Sequence, residues 1–247
     1  MKITNTTFRR TKLLLVALSL FLASTTTFAQ SFALPQLKRV VVSGGIDNRC
    51  KVKVQYQQIA NIASSSILYD INRSNRIHVF SAKEAGALPD KNAISYTAMS
   101  LLDYYTPGMQ NLPWCEVEQS ARVVRGKYLL FITTSTIYAG GAHPLYGVTH
   151  TIYDLAKGGQ VIMPDLTEGY WWWTLRRNLY KRCHQQLDDL FAIHKLEDMP
   201  RPSTYELTDK GVVFVFEPYE VAPGVVGTVT VEFSDVELKQ MGVPITW

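Results

Sequence analysis

The pattern of hydrophobic and polar positions predicts several β-strands joined by short turns. Residues 127–138 (KYLLFITTSTIY) are the most strand-like run, and residues 114–124 form a second run on the other side of Arg125-Gly126. Two such runs around a glycine-containing turn are typical of a β-hairpin. Further strands are predicted at residues 40–42, 51–57, 147–155, 160–163, 205–207, 212–216 and 228–233.

Helical spacing is clearest after residue 169. A long helix is predicted there because apolar residues recur every three or four positions: Trp172, Leu175, Leu179, Cys183 and Leu187. Shorter helices are predicted at residues 93–105 and 58–73, with a loop at 81–92.

A short closing helix is predicted from Ser234 and Glu237, which form a capping-box pattern ended by Gly242. The elements together predict an α+β fold, in which a mainly antiparallel sheet packs against one long and one or two shorter helices.

Residues 1–29 have the pattern of a secretory signal peptide. Four basic residues precede an apolar stretch at residues 13–23, and Thr27 and Ala29 then suit the −3 and −1 positions of a cleavage site. The apolar stretch is shorter than the ~20 residues that a membrane-spanning helix needs. We therefore expect cleavage before Gln30 and a periplasmic or secreted protein, with no lipoprotein cysteine and no membrane span.

Removal of this segment changes the charge balance. The whole chain has 25 basic and 21 acidic residues, and the first 29 residues carry four of the basic ones and none of the acidic ones. The mature protein, of roughly 218 residues, therefore has no formal net charge and is long enough for one large domain or two small ones. A nucleic-acid-binding function, which favours a basic surface, is not supported.

Cysteine is sparse in this chain. An odd number of cysteines in an exported protein predicts one disulfide and one leftover thiol. Cys183 lies on the apolar stripe of the long helix, so we expect it to be free and buried and Cys50 and Cys115 to be bridged. The alternative is that all three cysteines are reduced core residues.

A turn rich in glycine follows the most strand-like run. In Tyr138-Ala-Gly-Gly-Ala-His-Pro144, Gly140 and Gly141 permit positive φ, and Pro144 favours an extended His143. A second irregular segment, residues 218–227, contains Tyr219. Binding residues concentrate on loops that a rigid scaffold positions, so both segments are candidate binding loops.

Aromatic residues extend this candidate surface, and Tyr146 lies close to the first loop in sequence. Three consecutive tryptophans follow at residues 171–173; because successive helical residues point ~100° apart, Trp171 or Trp173 is expected to stay partly exposed. Exposed tryptophan and tyrosine are common anchors for a protein or a sugar ring. The alternative is that these side chains pack beneath neighbouring loops. The predicted binding residues are Tyr138, Gly140, Gly141, His143, Trp171, Trp173 and Tyr219.

The sequence predicts no catalytic residue, metal site or cofactor. His150 and Asp154 share a strand face but lie roughly 13 Å apart along an extended chain, too far to bind one ion together. Ser135 has no Gly-x-Ser-x-Gly motif around it. The enzymatic alternative is a small cell-wall hydrolase with a site around His143.

Several motifs between residues 127 and 240 occur in an order that resembles a known family. It is the domain of unknown function shared by PdaC-type peptidoglycan deacetylases and RsiV-type lysozyme-binding anti-sigma factors. The matching pieces are Tyr138-Ala-Gly-Gly-Ala-His143, Tyr153-Asp-Leu155 with Gly158-Gly159, Met163-Pro-Asp-Leu166, residues 211–216 and Pro218-Tyr-Glu-Val-Ala-Pro223 with Gly227.

The resemblance implies a domain at residues 127–247, preceded at residues 30–126 by an α+β subdomain similar to the companion domain of those proteins. It also implies a module of the cell envelope that binds a protein partner, as the RsiV type binds lysozyme, or a peptidoglycan fragment. We expect this protein to lack both the deacetylase domain of the PdaC type and the cytoplasmic segment of the RsiV type. We therefore expect a binding module with no catalysis of its own.

Overall fold

A five-stranded sheet lies at the centre of the computed structural model, which describes residues 34–63, 66–105, 111–161 and 169–245. The predicted signal peptide lies outside these ranges. Neighbouring strands follow chain order, and all pairs are antiparallel except the second and third strands, which are parallel. The strands are β1 (Leu37–Gly44), β2 (Lys51–Ile59), β3 (Trp114–Val124), β4 (Tyr128–Tyr138) and β5 (Leu145–Asp154).

Two helices cover one face of this sheet. A parallel pair of strands needs a long crossover connection, and here α1 (Ile67–Phe80) and α2 (Asp90–Asp103) form it between β2 and β3. Val52, Val54 and Tyr56 alternate along β2 and are all buried in the same cluster as residues of both helices. This alternation, which predicted the strand, therefore also identifies the face that the helices cover.

A C-terminal layer packs on part of the opposite face. Leu130 and Ile152 of the large sheet are buried in one cluster with Leu179 and Phe214 of this layer. The apolar stripe of the long helix is buried from Leu175 to Leu187 as predicted, whereas Trp172 is half-buried. The Ser234–Glu237 capping box is present. The elements of the layer are α3 (Trp171–Leu187), β6 (Thr204–Leu207), β7 (Gly211–Phe216), β8 (Val229–Ser234) and α4 (Asp235–Gln240), with β6, β7 and β8 forming an antiparallel sheet.

The observed architecture confirms the predicted α+β fold class with a mainly antiparallel sheet. The predicted domain boundary at residues 126/127 falls in the turn of the β3–β4 hairpin, where Arg125 and Gly126 both have positive φ. Strands from both sides of this boundary therefore share one sheet. No helix within the described ranges combines the length and the apolar composition needed to cross a bilayer.

Two predicted elements of the first half differ in the structure. The predicted helix at residues 58–73 is instead the end of β2 followed by α1, because Asn72 bonds both the amide and the carbonyl of Ile59 at 2.8 Å and Ser66 caps the helix. The predicted loop at residues 81–92 contains a 3₁₀ turn, Lys83–Gly86, and the start of α2 after Pro89.

The predicted strand at residues 160–163 is described only in part. Gln160 forms a single bridge with Tyr153, and residues 162–163 lie outside the described ranges.

The structure does not contain the predicted disulfide: Cys50, Cys115 and Cys183 are all free and buried. The parallel register pairs Cys115 with Val52, two residues past Cys50. Two residues along a strand and one interstrand spacing separate the Cα atoms by roughly 8 Å, beyond the reach of a disulfide. The Cys50 Sγ instead lies 3.9 Å from the carbonyl oxygen of Ala98.

Candidate functional site

Among the described residues, the C-terminal layer covers only one half of the sheet face that lies opposite α1 and α2. Strand register places Trp114 beside Tyr138, and Glu116 beside Thr136, which in turn pairs with Tyr146. Since directly opposite residues of a sheet share a face, these side chains form one surface. We call it the aromatic face and define it by five residues: Lys53, Trp114, Glu116, Tyr138 and Tyr146.

The aromatic face has a stacked pair of rings at its centre. The ring centroids of Trp114 and Tyr138 lie 6.4 Å apart with an interplanar angle of 22°. Both residues are half-buried, whereas Tyr146 is 64% exposed. The two rings therefore pack against each other on the sheet and keep part of their area accessible to solvent.

Charged groups and a depression lie beside these rings. Lys53 Nζ is 3.7 Å from Glu116 Oε1, and about half of each side chain is exposed, so both groups remain accessible. A depression of ≈ 620 Å³ adjoins Trp114 where β1 ends and β2 and β3 begin. This volume lies within the range of small-ligand sites. Its lining includes Ser43, Lys51, Asn111 and Leu112.

The Gly-Gly turn is at the same end of the sheet. Gly140 and Gly141 have φ values of 103° and 104°, the positive φ that these glycines were predicted to permit. The Tyr138 hydroxyl donates a hydrogen bond of 3.2 Å to the carbonyl oxygen of Gly141, which closes the turn. His143 is exposed, and its Nδ1 lies 3.0 Å from the carbonyl oxygen of Pro144.

The loop that contains Tyr219 begins against β5, next to this turn. The Val148 amide donates to Glu217 Oε1 at 3.4 Å, and Pro218 lines a small cavity with Tyr146. Tyr219 has a φ of 74° and is 76% exposed, with its ring against Gly224. The structure thus brings the start of this loop to the edge of the aromatic face.

The predicted tryptophans lie elsewhere, in the first turn of α3. Trp173 is 57% exposed, with the guanidinium of Arg176 5.6 Å from its ring centroid. Trp171 is half-buried, contacts Tyr170, and packs against the C-terminal core. Beyond the other end of the helix, the Ala192 amide bonds the carbonyl of Val221. The 17-residue helix, roughly 25 Å long, therefore separates the tryptophans from the loop that contains Tyr219.

Groups with known reactive chemistry are not gathered at the aromatic face. In the part of the chain that the structure describes, no group of three or more His, Cys, Asp or Glu side chains is arranged to hold a metal ion. Asp154 accepts hydrogen bonds from the amides of Ala156 and Lys157 and so caps a turn. Burial raises the pKa of the Cys115 thiol to about 11 and that of Cys183 to about 12, which keeps both protonated at neutral pH.

His150 contacts the C-terminal layer. Its side chain is 4% exposed, its Nε2 lies 3.4 Å from Glu206 Oε2, and Arg122 pairs with the same carboxylate. Burial lowers the pKa of His150 below its usual 6.5, an effect that the Glu206 charge opposes and the Arg122 charge reinforces. His150 is therefore a neutral structural residue between the two sheets at physiological pH.

We predict that His150 makes stability depend on pH. The unfolded chain binds a proton near pH 6.5 and the folded protein only at lower pH, so stability falls as the pH is lowered through 6.5, by at most about 1.4 kcal/mol per pH unit from this residue. Urea unfolding at pH 7.5, 6.5 and 5.5 should show this slope, and His150→Gln should flatten it. An unchanged slope in the variant would assign the pH dependence to other groups.

Sequence reasoning missed Lys53, Trp114 and Glu116. Each lies on a predicted strand, but none is near the Gly-Gly turn in sequence. Trp114 could have been found from the predicted hairpin at residues 114–138, because the antiparallel register of this hairpin pairs Trp114 with Tyr138. The parallel neighbour β2, which contributes Lys53, could not be placed by any local pattern.

The fold and this surface together define an α+β domain whose central sheet is half open. The family model for proteins of unknown function called DUF3298 matches residues 174–234. For residues 174–234, this match agrees with the predicted resemblance to a domain of unknown function. The association with PdaC-type and RsiV-type proteins stays a prediction. No curated protein sequence matches this chain.

Solved structures of DUF3298 proteins have a similar fold. A member of the family from Bacteroides fragilis superposes with a TM-score of 0.66 at 16% sequence identity, covering 84% of this chain and 93% of that one. A DUF3298 family protein from Pseudomonas aeruginosa gives a TM-score of 0.56 at 15% identity, covering 84% and 94%. At such identities the likeness is one of fold, and it extends well beyond the residues that the family model matches.

Proposed function

We propose that this protein is an exported binding module of the cell envelope and that its aromatic face binds a glycan strand, such as peptidoglycan. The observation that supports this most directly is the stacked Trp114–Tyr138 pair with Tyr146 on an open, polar sheet face. Sugar rings combine apolar C–H faces with hydroxyl groups. A surface of flat aromatic rings bordered by charged hydrogen-bonding groups suits both.

Each part of the face has a role in this proposal. Trp114 and Tyr146 stack on sugar rings, and Tyr138 holds the Trp114 ring in place by stacking against it. Lys53 donates to sugar or acetyl oxygens and Glu116 accepts from hydroxyl groups, so both compete well with water for a polar ligand. The depression beside Trp114, with Asn111 and Lys51 in its lining, receives a substituent of the sugar.

A protein partner is the second candidate, and exposed side chains at the loops favour it. Leu145, Tyr146 and Tyr219 are 67%, 64% and 76% exposed. Exposed tyrosines with an apolar neighbour are typical anchors of protein interfaces. Under this hypothesis the Gly-Gly turn, including His143, and the loop at Tyr219 contact the partner, which is lysozyme-like as the resemblance implies. No observation favours a hydrolase around His143.

We predict that Trp114→Ala and Tyr146→Ala each weaken glycan binding at least tenfold, which corresponds to about 1.4 kcal/mol per variant. The measurement is sedimentation with purified peptidoglycan sacculi, together with calorimetric titration of N-acetylglucosamine oligomers. Trp173→Ala is the matched control, because it removes an exposed tryptophan far from the aromatic face. Far-UV circular dichroism and thermal melting check that each variant is folded.

The outcomes separate the two candidates. Glycan binding that is lost in Trp114→Ala and kept in Trp173→Ala supports the proposed function. Binding to hen lysozyme that is lost in Tyr219→Ala, with no glycan binding, supports the protein partner instead. Equal losses in Trp173→Ala and Trp114→Ala, or glycan binding that neither variant changes, would reject the aromatic face as the site.

A further inference from the structure

A second cavity lies on the other face of the large sheet, at the opposite end from the aromatic face. It is a cleft of ≈ 450 Å³ between the β1–β2 pair and α1, within the volume range of small-molecule sites. Leu37 pairs with Ile59 at this end of the strands, whereas Lys51 pairs with Trp114 at the other. We call it the cationic cleft; its lining includes Lys38, Gln58, Asn61, Ile62, Tyr69, Asn72, Arg73, Arg76 and Leu88.

The walls of the cationic cleft are held by buried hydrogen bonds. Asn72 is 5% exposed, and its side chain bonds the amide and carbonyl of Ile59, which joins α1 to the end of β2. Arg76 donates to the carbonyl oxygens of Ala85 (3.0 Å) and Leu88 and pairs with Asp90. The cleft is thus preorganised, which lowers the entropic cost of binding a ligand.

Two walls supply cationic groups to this space. On α1, Tyr69, Asn72, Arg73 and Arg76 follow an i, i+3, i+4, i+7 spacing and so occupy one side of the helix. Lys38 reaches the cleft from β1, where it pairs with Gln58. No acidic side chain is among the described residues that line the cleft.

The cations differ in how far they are already neutralised. Arg76 is 11% exposed and shares its charge with Asp90. Lys38 and Arg73 are exposed, and neither has a hydrogen bond or ion pair with any residue that the structure describes. Two unpaired cations on facing walls, with a third behind them, create a local positive potential in a protein whose mature chain has no net charge.

We propose that the cationic cleft binds a small organic anion that carries a carboxylate or phosphate group. The Arg73 guanidinium and the Lys38 ammonium bind the anionic group, with the planar fork of arginine suited to two oxygens of one group. Tyr69, which is 41% exposed, and Ile62 contact the uncharged part of the ligand. This site is separate from the aromatic face and does not depend on the glycan proposal.

The test is calorimetric titration of the full protein at low ionic strength with citrate, inorganic pyrophosphate and, as the neutral probe, glucose. We expect saturable binding of at least one anion and none of glucose. Citrate without pyrophosphate identifies a carboxylate ligand, and the reverse identifies a phosphate ligand. Arg73→Ala and Lys38→Ala should each raise the Kd at least tenfold, and Arg73→Lys should raise it less.

Arg177→Ala is the matched control, since it removes one exposed arginine charge from α3. Binding that survives in Arg177→Ala and is lost in Arg73→Ala establishes the cleft as the site. The proposal is overturned if neither anion binds saturably, or if all three alanine variants weaken binding equally, which would indicate general charge attraction. Glycan binding should be unchanged in Arg73→Ala, so failure of either proposal can be recognised without the other.

Discussion

Replacement of Gly211 by alanine is expected to destabilise the protein by about 3 kcal/mol, the upper end of the usual cost of overpacking, because the added methyl group meets backbone. A Cβ at this position would lie 2.0 Å from the carbonyl oxygen of Phe233 and 2.8 Å from the Cα of Ser234. Gly211 pairs with Ser234 in the β7–β8 register, so the two strands would have to separate at this point. The neighbouring atoms are backbone and cannot be relieved by a rotamer change.

Gly159→Ala is the matched control for this prediction. A Cβ at Gly159 would meet no atom of the described residues within 4 Å, and the φ of Gly159 is not in the left-handed region. The substitution should change the free energy of unfolding by less than about 1 kcal/mol, in either direction. Urea unfolding followed by circular dichroism measures both variants. If Gly211→Ala is as stable as Gly159→Ala, the close approach of β7 and β8 at this position is incorrect.

Arg125→Ala is expected to cost about 2–3 kcal/mol, because it leaves a half-buried carboxylate without its main partner. The Arg125 guanidinium makes two hydrogen bonds, of 2.9 and 3.0 Å, to Asp235 and further bonds to the carbonyl oxygens of Thr208 and Gly211. The Arg125 and Asp235 side chains are only 13% and 28% exposed. One residue in the β3–β4 turn therefore joins the large sheet to the β6–β7 turn and the start of α4.

The comparison for Arg125 is an exposed ion pair. Arg49 lies 3.7 Å from Asp47 with side-chain exposures of 63% and 84%, so Arg49→Ala should change stability by less than about 0.5 kcal/mol. Arg125→Lys, which keeps the charge and loses the planar fork, should fall between the two. Equal stabilities for Arg49→Ala and Arg125→Ala, in urea unfolding at pH 7.5, would contradict the proposed role of this residue.

Local patterns were sufficient where an element depends on its own residues. Three elements could be predicted: the β3–β4 hairpin, the apolar stripe of α3 and the capping box of α4. Strand alternation, helical spacing and cap chemistry each involve residues that are close together in the sequence. The motifs at residues 211–227 lie within residues 174–234, which match a family model of unknown function, and the link to PdaC-type and RsiV-type proteins stays a prediction. The positive φ at Gly140 and Gly141 follows from the same local reasoning.

Elements that depend on distant partners could not be predicted in this way. Residues 58–73 carry helical spacing, yet Gln58 and Ile59 belong to β2 because they pair with Lys38 and Leu37 of β1. The Asn72 side chain also bonds the backbone of Ile59. The buried helical position of Cys183 favours a Cys50–Cys115 bridge, whereas the parallel register keeps the Cα atoms of Cys50 and Cys115 too far apart for one.

The candidate sites show the same division. The sequence by itself determined which side chains are available: tyrosines beside a glycine-rich turn, and a tryptophan at position 171 or 173 that stays partly exposed. Only the tertiary structure decided that Trp114 stacks on Tyr138, that Trp173 lies at the far end of α3, and that Lys38 faces Arg73 across a cleft. The physical reason is that strand pairing and layer packing bring together residues that are far apart in the chain. The pairings and contacts that form are those that stabilise the core as a whole, so no short stretch of sequence determines them.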